Sequence, residues 1–237
     1  MIKADLHVHT CYSIDCCTPL EEIVNHCLKI GINCIAIADH NTITGALKLR
    51  EIAPFRIIIA EEIRTSTGEL MGLFLSEKVP RGLSAEETIA RVKSQGGLVG
   101  IPHPFGRSPL QNSKKLLTEE VLSQVDIIEV FNSRSPFLTS FAKAQELALK
   151  HRLVASAGSD AHTSGEIGRA YVEMPEFNNP SDFLVSLSQG RIFGRSSSPL
   201  VHLGTAWTKV RKRLGFHSHP NPLPSKERDY TERKGSC

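Results

Sequence analysis

Short apolar segments alternate along the chain with longer amphipathic ones. A nearly continuous apolar run such as NCIAIAD is typical of a strand that is buried on both faces of a sheet. The segments that predict strands lie at residues 2–8, 33–39, 56–63, 69–75, 97–103, 126–132 and 153–160. The segments that predict helices lie at residues 19–31, 44–53, 84–96, 118–124 and 135–151. Strands separated by helices predict βα units around a parallel sheet, and this many of them favour a barrel over an open sheet.

Two of the predicted helices carry end signals in the sequence. Pro19 lies near the first turn of one helix and Gly31 lies just past its last turn, as expected for a helix start and stop. Ser84 precedes another helix and is followed three residues later by Glu87, which is the pattern of a capping box.

The alternation of strands and helices stops near residue 200. The segment that follows is basic, is punctuated by prolines towards its end and has no hydrophobic period, so we expect a disordered tail. The expected boundaries are therefore 1–203 for the folded domain and 204–237 for the tail. Two histidines of the tail, His217 and His219, are given no role.

Composition narrows the class of protein. The chain has 237 residues, is 40% hydrophobic and carries a net charge of +3, with much of the positive excess near its end. A near-neutral body argues against a nucleic-acid-binding surface across the whole fold. No segment approaches the roughly 20 apolar residues of a membrane span, and no leader precedes the first strand, so we expect a soluble, cytoplasmic protein without a membrane partner. The six cysteines form no CxxC pair and do not predict a disulfide framework.

Histidines and carboxylates recur where the predicted strands end. In chain order they are His7, His9 and Asp15; Asp39 and His40; Glu61 and Glu62; His103; Glu129 and Asn132; and Asp160 and His162. In a barrel of this kind the carboxyl ends of the strands converge on one face, where the loops build the active site. His7 and His9 are two residues apart, so a strand turns both imidazoles to one face.

Bringing so many imidazoles and carboxylates together without partners is unfavourable, and divalent metal ions would make the assembly favourable. Imidazole combined with carboxylate suits zinc, iron or manganese better than magnesium or calcium. The sequence therefore predicts a metal site at the carboxyl ends of the strands.

Six motifs carry a resemblance to a known family. They are DLHVHT, ADHNT, AEEIRT, PHPF, IEVFN and GSDAH, in this order. As a set they resemble the PHP domain, the polymerase and histidinol phosphatase superfamily, over roughly residues 2–200. The resemblance implies a distorted (β/α)7 TIM-like barrel, up to three metal ions and hydrolysis of phosphoesters.

The resemblance also implies the metal ligands, residue by residue. One ion would be held by His7, His9, Glu62 and Asp160, a second by Glu62 as a bridge and His103, and a third by Asp15, His40 and His162. Glu69 stands where the family often has a histidine, so it is either a substitute ligand or the mark of a weak second site. Asp15 stands where some relatives have histidine, and it shifts the third site towards manganese or magnesium. The family register selects Glu62 rather than Glu61.

Several neighbouring residues have two interpretations each. Asp39 would orient an imidazole or bond the loop, and Glu129 could touch substrate or water. Asn132 could touch substrate or cap its loop. Arg134 and Arg107 could clamp a phosphate through their planar guanidinium groups, although a solvent-exposed arginine is the simpler interpretation for both.

These features together predict a metal-dependent phosphoesterase with two to three divalent ions (manganese, zinc, iron or magnesium). No nucleophile elbow and no phosphate-binding loop occur in the sequence, so attack by metal-activated hydroxide is expected, with His40, His162 and Asp160 as candidate catalytic residues. The expected substrate is a small phosphorylated metabolite, preferably a nucleotide or a short oligonucleotide end, and no stable partner is inferred. The alternatives are a nuclease for longer DNA or RNA and a non-catalytic, metal-stabilised module; amide hydrolysis is more distant.

Overall fold

The computed structural model describes residues 1–106, 116–135, 138–198 and 201–214. The strands are β1 (Ile2–Val8), β2 (Cys34–Ile37), β3 (Arg56–Arg64), β4 (Glu69–Leu73), β5 (Leu98–Ile101), β6 (Ile127–Asn132), β7 (Val154–Gly158), β8 (Ala170–Met174) and β9 (Arg191–Gly194). The helices are α1 (Leu20–Ile30), α2 (Thr44–Ile52), α3 (Ala85–Ser94), α4 (Glu119–Leu122), α5 (Leu138–His151), α6 (Pro180–Ser188) and α7 (Val201–Arg213). Candidate Arg107 lies outside the described residues.

The strands form one sheet that bends into a nearly closed barrel. Its order is β7-β6-β5-β4-β3-β2-β1-β8-β9. Neighbouring strands are parallel from β1 to β3 and from β5 to β7, whereas β4 is antiparallel to both β3 and β5. The barrel closes where Asp160 donates its backbone N–H to His7 (2.8 Å) and His9 donates its own to Ala161 (3.0 Å).

The predicted α/β barrel is therefore confirmed, with two differences in the strands. β4 follows β3 without a helix between them, as the predicted segments do, but it pairs with β3 in antiparallel rather than parallel orientation. β8 and β9, which the sequence analysis did not predict, extend the sheet beyond β1 with antiparallel pairs, so the described sheet has nine strands rather than seven.

Apolar side chains on the two faces of the sheet build two cores. On β2, Ile35 and Ile37 pack in the larger core, which includes buried residues of α1, α2 and α3, whereas Ala36 packs in the core that contains Leu6 and Phe183. Burial on both faces accounts for the nearly continuous apolar runs in the sequence.

The predicted helix ends are confirmed in α1 and α3. Gly31 ends α1 with a left-handed φ of 76°, a conformation that glycine adopts without steric cost. Ser84 and Glu87 form both hydrogen bonds of the capping box at the start of α3.

Helix α7 occupies residues that the sequence analysis assigned to a disordered tail. The expected boundary at residue 203 falls inside this helix, and described residues as far as 214 belong to the folded part. The rest of the predicted tail, including His217 and His219, lies outside the described residues. None of the helices in the described ranges is long and apolar enough to cross a membrane.

Candidate metal centre

The predicted histidines and carboxylates meet at the carboxyl ends of the parallel strands. His7, Glu62, Glu129 and Asn132 lie on strands, and Asp15, His9, His40, His103, Asp160 and His162 follow them in loops. Glu69 is the first residue of β4. Because β4 is antiparallel to β3, its first residue lies at the same end of the barrel as the last residues of the parallel strands. Nearly all these residues are buried, and the His40 side chain is 16% exposed.

The two histidines of β1 and its loop face each other. Their Nε2 atoms lie 3.2 Å apart, as expected from their spacing. The His7 Nδ1 atom is 3.1 Å from Glu129 Oε1, which turns the opposite ring nitrogen towards the centre. Asp160 Oδ1 lies 3.3 Å from His9 Nε2 and 3.8 Å from His7 Nε2. These three side chains form one candidate ligand group.

Glu62 is the carboxylate shared among the histidines. It lies 2.9 Å from His103 Nε2, 3.2 Å from His40 Nδ1 and 3.5 Å from the Nε2 atoms of His7 and His9. Its neighbour Glu61 turns to the other face of β3 and accepts the backbone N–H of Val79 at 2.9 Å. The choice of Glu62 over Glu61 agrees with this geometry.

A third set of side chains surrounds Asp15. Its Oδ2 atom lies 3.1 Å from His40 Nε2 and 3.2 Å from His162 Nε2, and Ser13 donates its hydroxyl to Oδ1 at 2.8 Å. The same Oδ2 atom lies 3.1 Å from the ammonium of Lys209, which reaches it from α7.

Four groups of side chains bring their potential ligand atoms within 4.8 Å of one another. They are His9, Asp15, His40 and His162; His7, Glu62 and His103; His7, His9 and Asp160; and His40, Glu62 and Glu69. These groups overlap with the three predicted ligand sets but do not coincide with them, because Glu62 groups with His103 and not with Asp160. The ligand sets, and Glu69 as a substitute ligand beside Glu62 and His40, stay predictions.

Protonated imidazoles and ionised carboxylates stabilise each other in the buried site. Burial alone would raise the pKa of Glu62, but His40 and His103 hold it well below its usual value. Burial opposes protonation of His40 and His103 as well, yet nearby carboxylates, Glu62 first among them, raise their pKa to about 10 and about 9. Burial and the neighbouring His162 lower the pKa of His9 to about 3, so this imidazole is neutral, as a metal ligand must be.

The donor set fits a divalent metal ion. His9 Nδ1, His103 Nδ1 and Glu69 Oε2 are buried and have no hydrogen-bond partner among the described residues. A buried group without a partner is costly, and a cation held by Glu69 together with His40 and Glu62 would satisfy the Glu69 oxygen. Imidazole mixed with carboxylate suits zinc, iron and manganese.

The backbone around the site is under constraint. A Cβ atom at Gly158 would lie 2.3 Å from His7 Cβ and 2.9 Å from Glu129 Oε1, so only glycine allows β7 to approach β1 this closely. Asp160 and His103 have φ values of 54° and 26°, which are unfavourable for residues with a side chain. Such strain is typical of functional sites.

The residues with two interpretations take structural contacts. Asp39 bonds the loop, accepting the N–H and hydroxyl of Thr10 at 2.6 and 2.7 Å. Asn132 donates to Glu129 at 2.9 Å and accepts the backbone N–H of Arg134 at 2.9 Å, which are the contacts of a loop cap. Glu129 thereby holds both a histidine and a loop, and substrate contact by either residue stays a prediction.

The interpretation of Arg134 as a solvent-exposed residue is wrong. It is 6% exposed, its guanidinium lies against the His162 ring, and its Nε atom is 3.4 Å from Glu166. Glu166, which the sequence analysis did not select, also accepts the backbone N–H of His162 at 3.2 Å. Nothing in the strand pattern marks Glu166, because it lies in a short 3-10 turn well after β7.

The fold and the site define a class of protein: a barrel that gathers potential metal ligands, imidazoles and carboxylates, at one end. Comparisons with known proteins identify the family. Residues 5–93 match the model of the PHP domain, and residues 140–192 match that of the PHP-associated region. The chain belongs to the PHP family.

A curated relative is similar in sequence over most of the chain, and solved structures share the fold. The chain is 38% identical to the uncharacterized protein MJ0417 of Methanocaldococcus jannaschii over 193 residues, covering 77% of this chain and 78% of that protein. A two-domain protein of Bacteroides vulgatus with a predicted PHP-like metal-dependent phosphoesterase has a similar fold (TM-score 0.67, 18% identity, 82% of this chain and 65% of that chain). So does an amidohydrolase of Chromobacterium violaceum with bound sulfate (TM-score 0.58, 17% identity, 81% and 97%).

Proposed function

We propose that this protein is a metal-dependent phosphoesterase. The observation that carries the proposal is the placement of Glu62, which contributes to two of the four candidate ligand groups and lies within 3.5 Å of four imidazoles. A carboxylate shared in this way can bridge two ions, which is the arrangement used for displacement at phosphorus. The ligands named in the sequence analysis are those we propose to hold the ions.

The chain's own residues would prepare the site and move protons. When bound, divalent ions supply an activated water and neutralise charge on the phosphoryl oxygens. Glu129 fixes the orientation of the His7 ring, and Asp160 faces the Nε2 atoms of His7 and His9. Where the Asp15 group holds no ion, His40, the more exposed of the two histidines beside Asp15, is placed to give a proton to a departing alcohol, and His162 is the second candidate.

Limited exposure supports a small phosphorylated substrate. Apart from His40, the proposed ligands are at most 9% exposed, so a reacting group must protrude to reach them. A terminal phosphate protrudes in this way, whereas a phosphodiester within a duplex does not. We therefore propose phosphate esters of small metabolites, with nucleotides or short oligonucleotide ends preferred.

Phosphate release by the full-length, manganese-loaded protein tests the proposal. The panel holds nucleoside monophosphates and bisphosphates, short 5′-phosphorylated oligonucleotides and sugar phosphates. We expect turnover on at least one class, with loss in His9→Ala and Asp160→Ala, while Glu61→Gln serves as a buried-carboxylate control that keeps activity. Absence of turnover on every member, with bound metal confirmed, would contradict the proposal and favour a longer nucleic acid or a binding role.

A further inference from the structure

Helix α7 lies against the loop that carries Asp15. The ammonium of Lys212 donates to the backbone carbonyls of Cys11, Ser13 and Cys16 at 2.8, 2.5 and 2.6 Å. Three carbonyls around one ammonium fix the helix to this loop. Lys212 is therefore an anchor of α7.

The first turn of α7 is anchored by a second basic residue, Arg134. Arg134 donates through Nη2 to the carbonyl of Val201 at 2.9 Å and to the hydroxyl of Thr205 at 2.5 Å. Because the Arg134 guanidinium also lies against His162, the start of the helix is tied to the ligand loop after β7. Both ends of α7 thus depend on loops of the metal centre.

Lys209 projects into the site between these two anchors. Thr205, Lys209 and Lys212 follow one another at steps of four and three residues, which places them on one face of a helix. The Lys209 ammonium meets Asp15 Oδ2 at 3.1 Å, while its side chain is 44% exposed. Unlike Lys212, it therefore reaches from solvent into the centre, and Asp15 is its ion-pair partner there.

A metal ion held by Asp15 would take the oxygen that Lys209 now contacts. His40 and His162 lie against the same oxygen, so the ion and the ammonium would compete for it. Two positive charges at one carboxylate repel each other, and the ammonium then needs another anion close by. Its exposed position means that this anion can arrive from solvent.

The charge of the loaded centre points to what that anion is. Four carboxylates lie in the candidate ligand groups, those of Asp15, Glu62, Glu69 and Asp160. Two divalent ions would balance these four negative charges when all are ionised, and a third ion in the Asp15 group would leave an excess of two positive charges. A phosphoryl dianion is attracted to such a centre, and the exposed ammonium of Lys209, beside Asp15, would add a positive charge where that dianion enters.

We propose that Lys209 binds the phosphoryl group of the substrate when a metal ion occupies the Asp15 group, and that α7 is held by Arg134 and Lys212 to place it there. This inference rests on the proposed phosphoesterase function and adds a substrate-binding residue from outside the barrel. It also makes α7 a part of the site rather than of a tail.

Binding of inorganic phosphate to the metal-loaded, full-length protein tests the inference apart from catalysis. The titration compares wild type with Lys209→Met, Lys209→Arg and Arg211→Met, with metal content measured in each sample. Arg211 is exposed on the same helix, so its replacement removes the same charge and controls for a general electrostatic effect. Loss of a charge-assisted contact predicts about tenfold weaker phosphate binding in Lys209→Met, recovered largely in Lys209→Arg.

Each outcome separates the inference from the proposed function. Weaker phosphate binding in Lys209→Met alone, with unchanged metal content, supports the inference even if no ester in the panel is hydrolysed. Hydrolysis by the wild type with phosphate binding and KM unchanged in Lys209→Met overturns it. Tighter metal binding in Lys209→Met with unchanged phosphate binding also overturns it, because the lysine would then only compete with the ion. An equal loss in Arg211→Met would show a diffuse charge effect and overturn it as well.

Discussion

Two adjacent glutamates on β3 provide a matched test of the metal centre. Glu61 and Glu62 are both buried, at 0% and 1% exposed, and neither substitution by glutamine changes the size of the side chain appreciably. Glu62 lies among four imidazoles, whereas Glu61 accepts a single backbone hydrogen bond from Val79 on the other face. Only Glu62→Gln should therefore remove metal.

The size of the expected loss follows from the number of groups that Glu62 serves. Removing a residue that merely orients a metal ligand costs about 10- to 100-fold in metal affinity. Glu62 belongs to two candidate groups as a direct ligand, so we expect at least about 100-fold, or about 2.7 kcal/mol, at the sites that it shares. Glu61→Gln keeps an oxygen for the Val79 N–H and should retain the metal content of the wild type.

The assay is metal content after dialysis against a buffer of fixed free manganese or zinc, together with titration of the metal-free proteins. Circular dichroism confirms that each variant is folded before its metal is counted. Equal metal content in Glu62→Gln and wild type would refute the assignment of a bridging ligand. Equal losses in both variants would refute it too, because the effect would then come from burying an amide in β3.

Three further predictions concern pH, packing and α7. The pKa values of about 10 for His40 and about 9 for His103 leave both imidazoles protonated at pH 7, so metal binding must release protons, and metal affinity should fall as pH falls. Calorimetry in two buffers with different ionisation heats should therefore give different heats of metal binding. Identical heats would contradict the release of protons. Gly158→Ala forces a close contact with His7 and should lower the free energy of unfolding of the metal-free protein by about 1–3 kcal/mol, measured by denaturant unfolding. An unchanged midpoint would mean that β7 can move away from β1 without cost. Arg134→Met removes one anchor of α7 and should speed cleavage of that helix in limited proteolysis, while wild-type cleavage rates would show that Lys212 suffices.

The sequence was a good guide wherever a strand obeys its own period. His7 and His9 were expected on one face and meet there, and Glu61 and Glu62, which are adjacent, turn to opposite faces. These residues could be placed because the carboxyl ends of parallel strands meet at one end of a barrel. The order of the ligands along the chain is then the order of the strands around the site.

Where strands depart from regular alternation, the sequence was a poorer guide. The register of β6 with β7 shifts between Glu129 and Phe131. A shift of this kind can re-aim side chains, and Glu129, beside the shift, lies 3.1 Å from His7 Nδ1. Strict alternation cannot show that Glu129 holds the His7 ring.

Helix α7 shows a deeper reason why part of a site escapes prediction. In most surface helices the apolar stripe faces the core, so a periodicity argument buries the apolar face. In α7 the apolar residues Trp207, Val210 and Leu214 are 65%, 48% and 68% exposed, while Lys209 and Lys212 face the barrel. Lys212 holds the helix through hydrogen bonds to loop carbonyls, and Lys209 pairs with Asp15. A hydrophobic pattern cannot predict contacts of this kind. The charges of α7 matter because they lie beside the candidate metal centre. The sequence could not predict this placement, because it depends on how the loop of Asp15 packs against the helix.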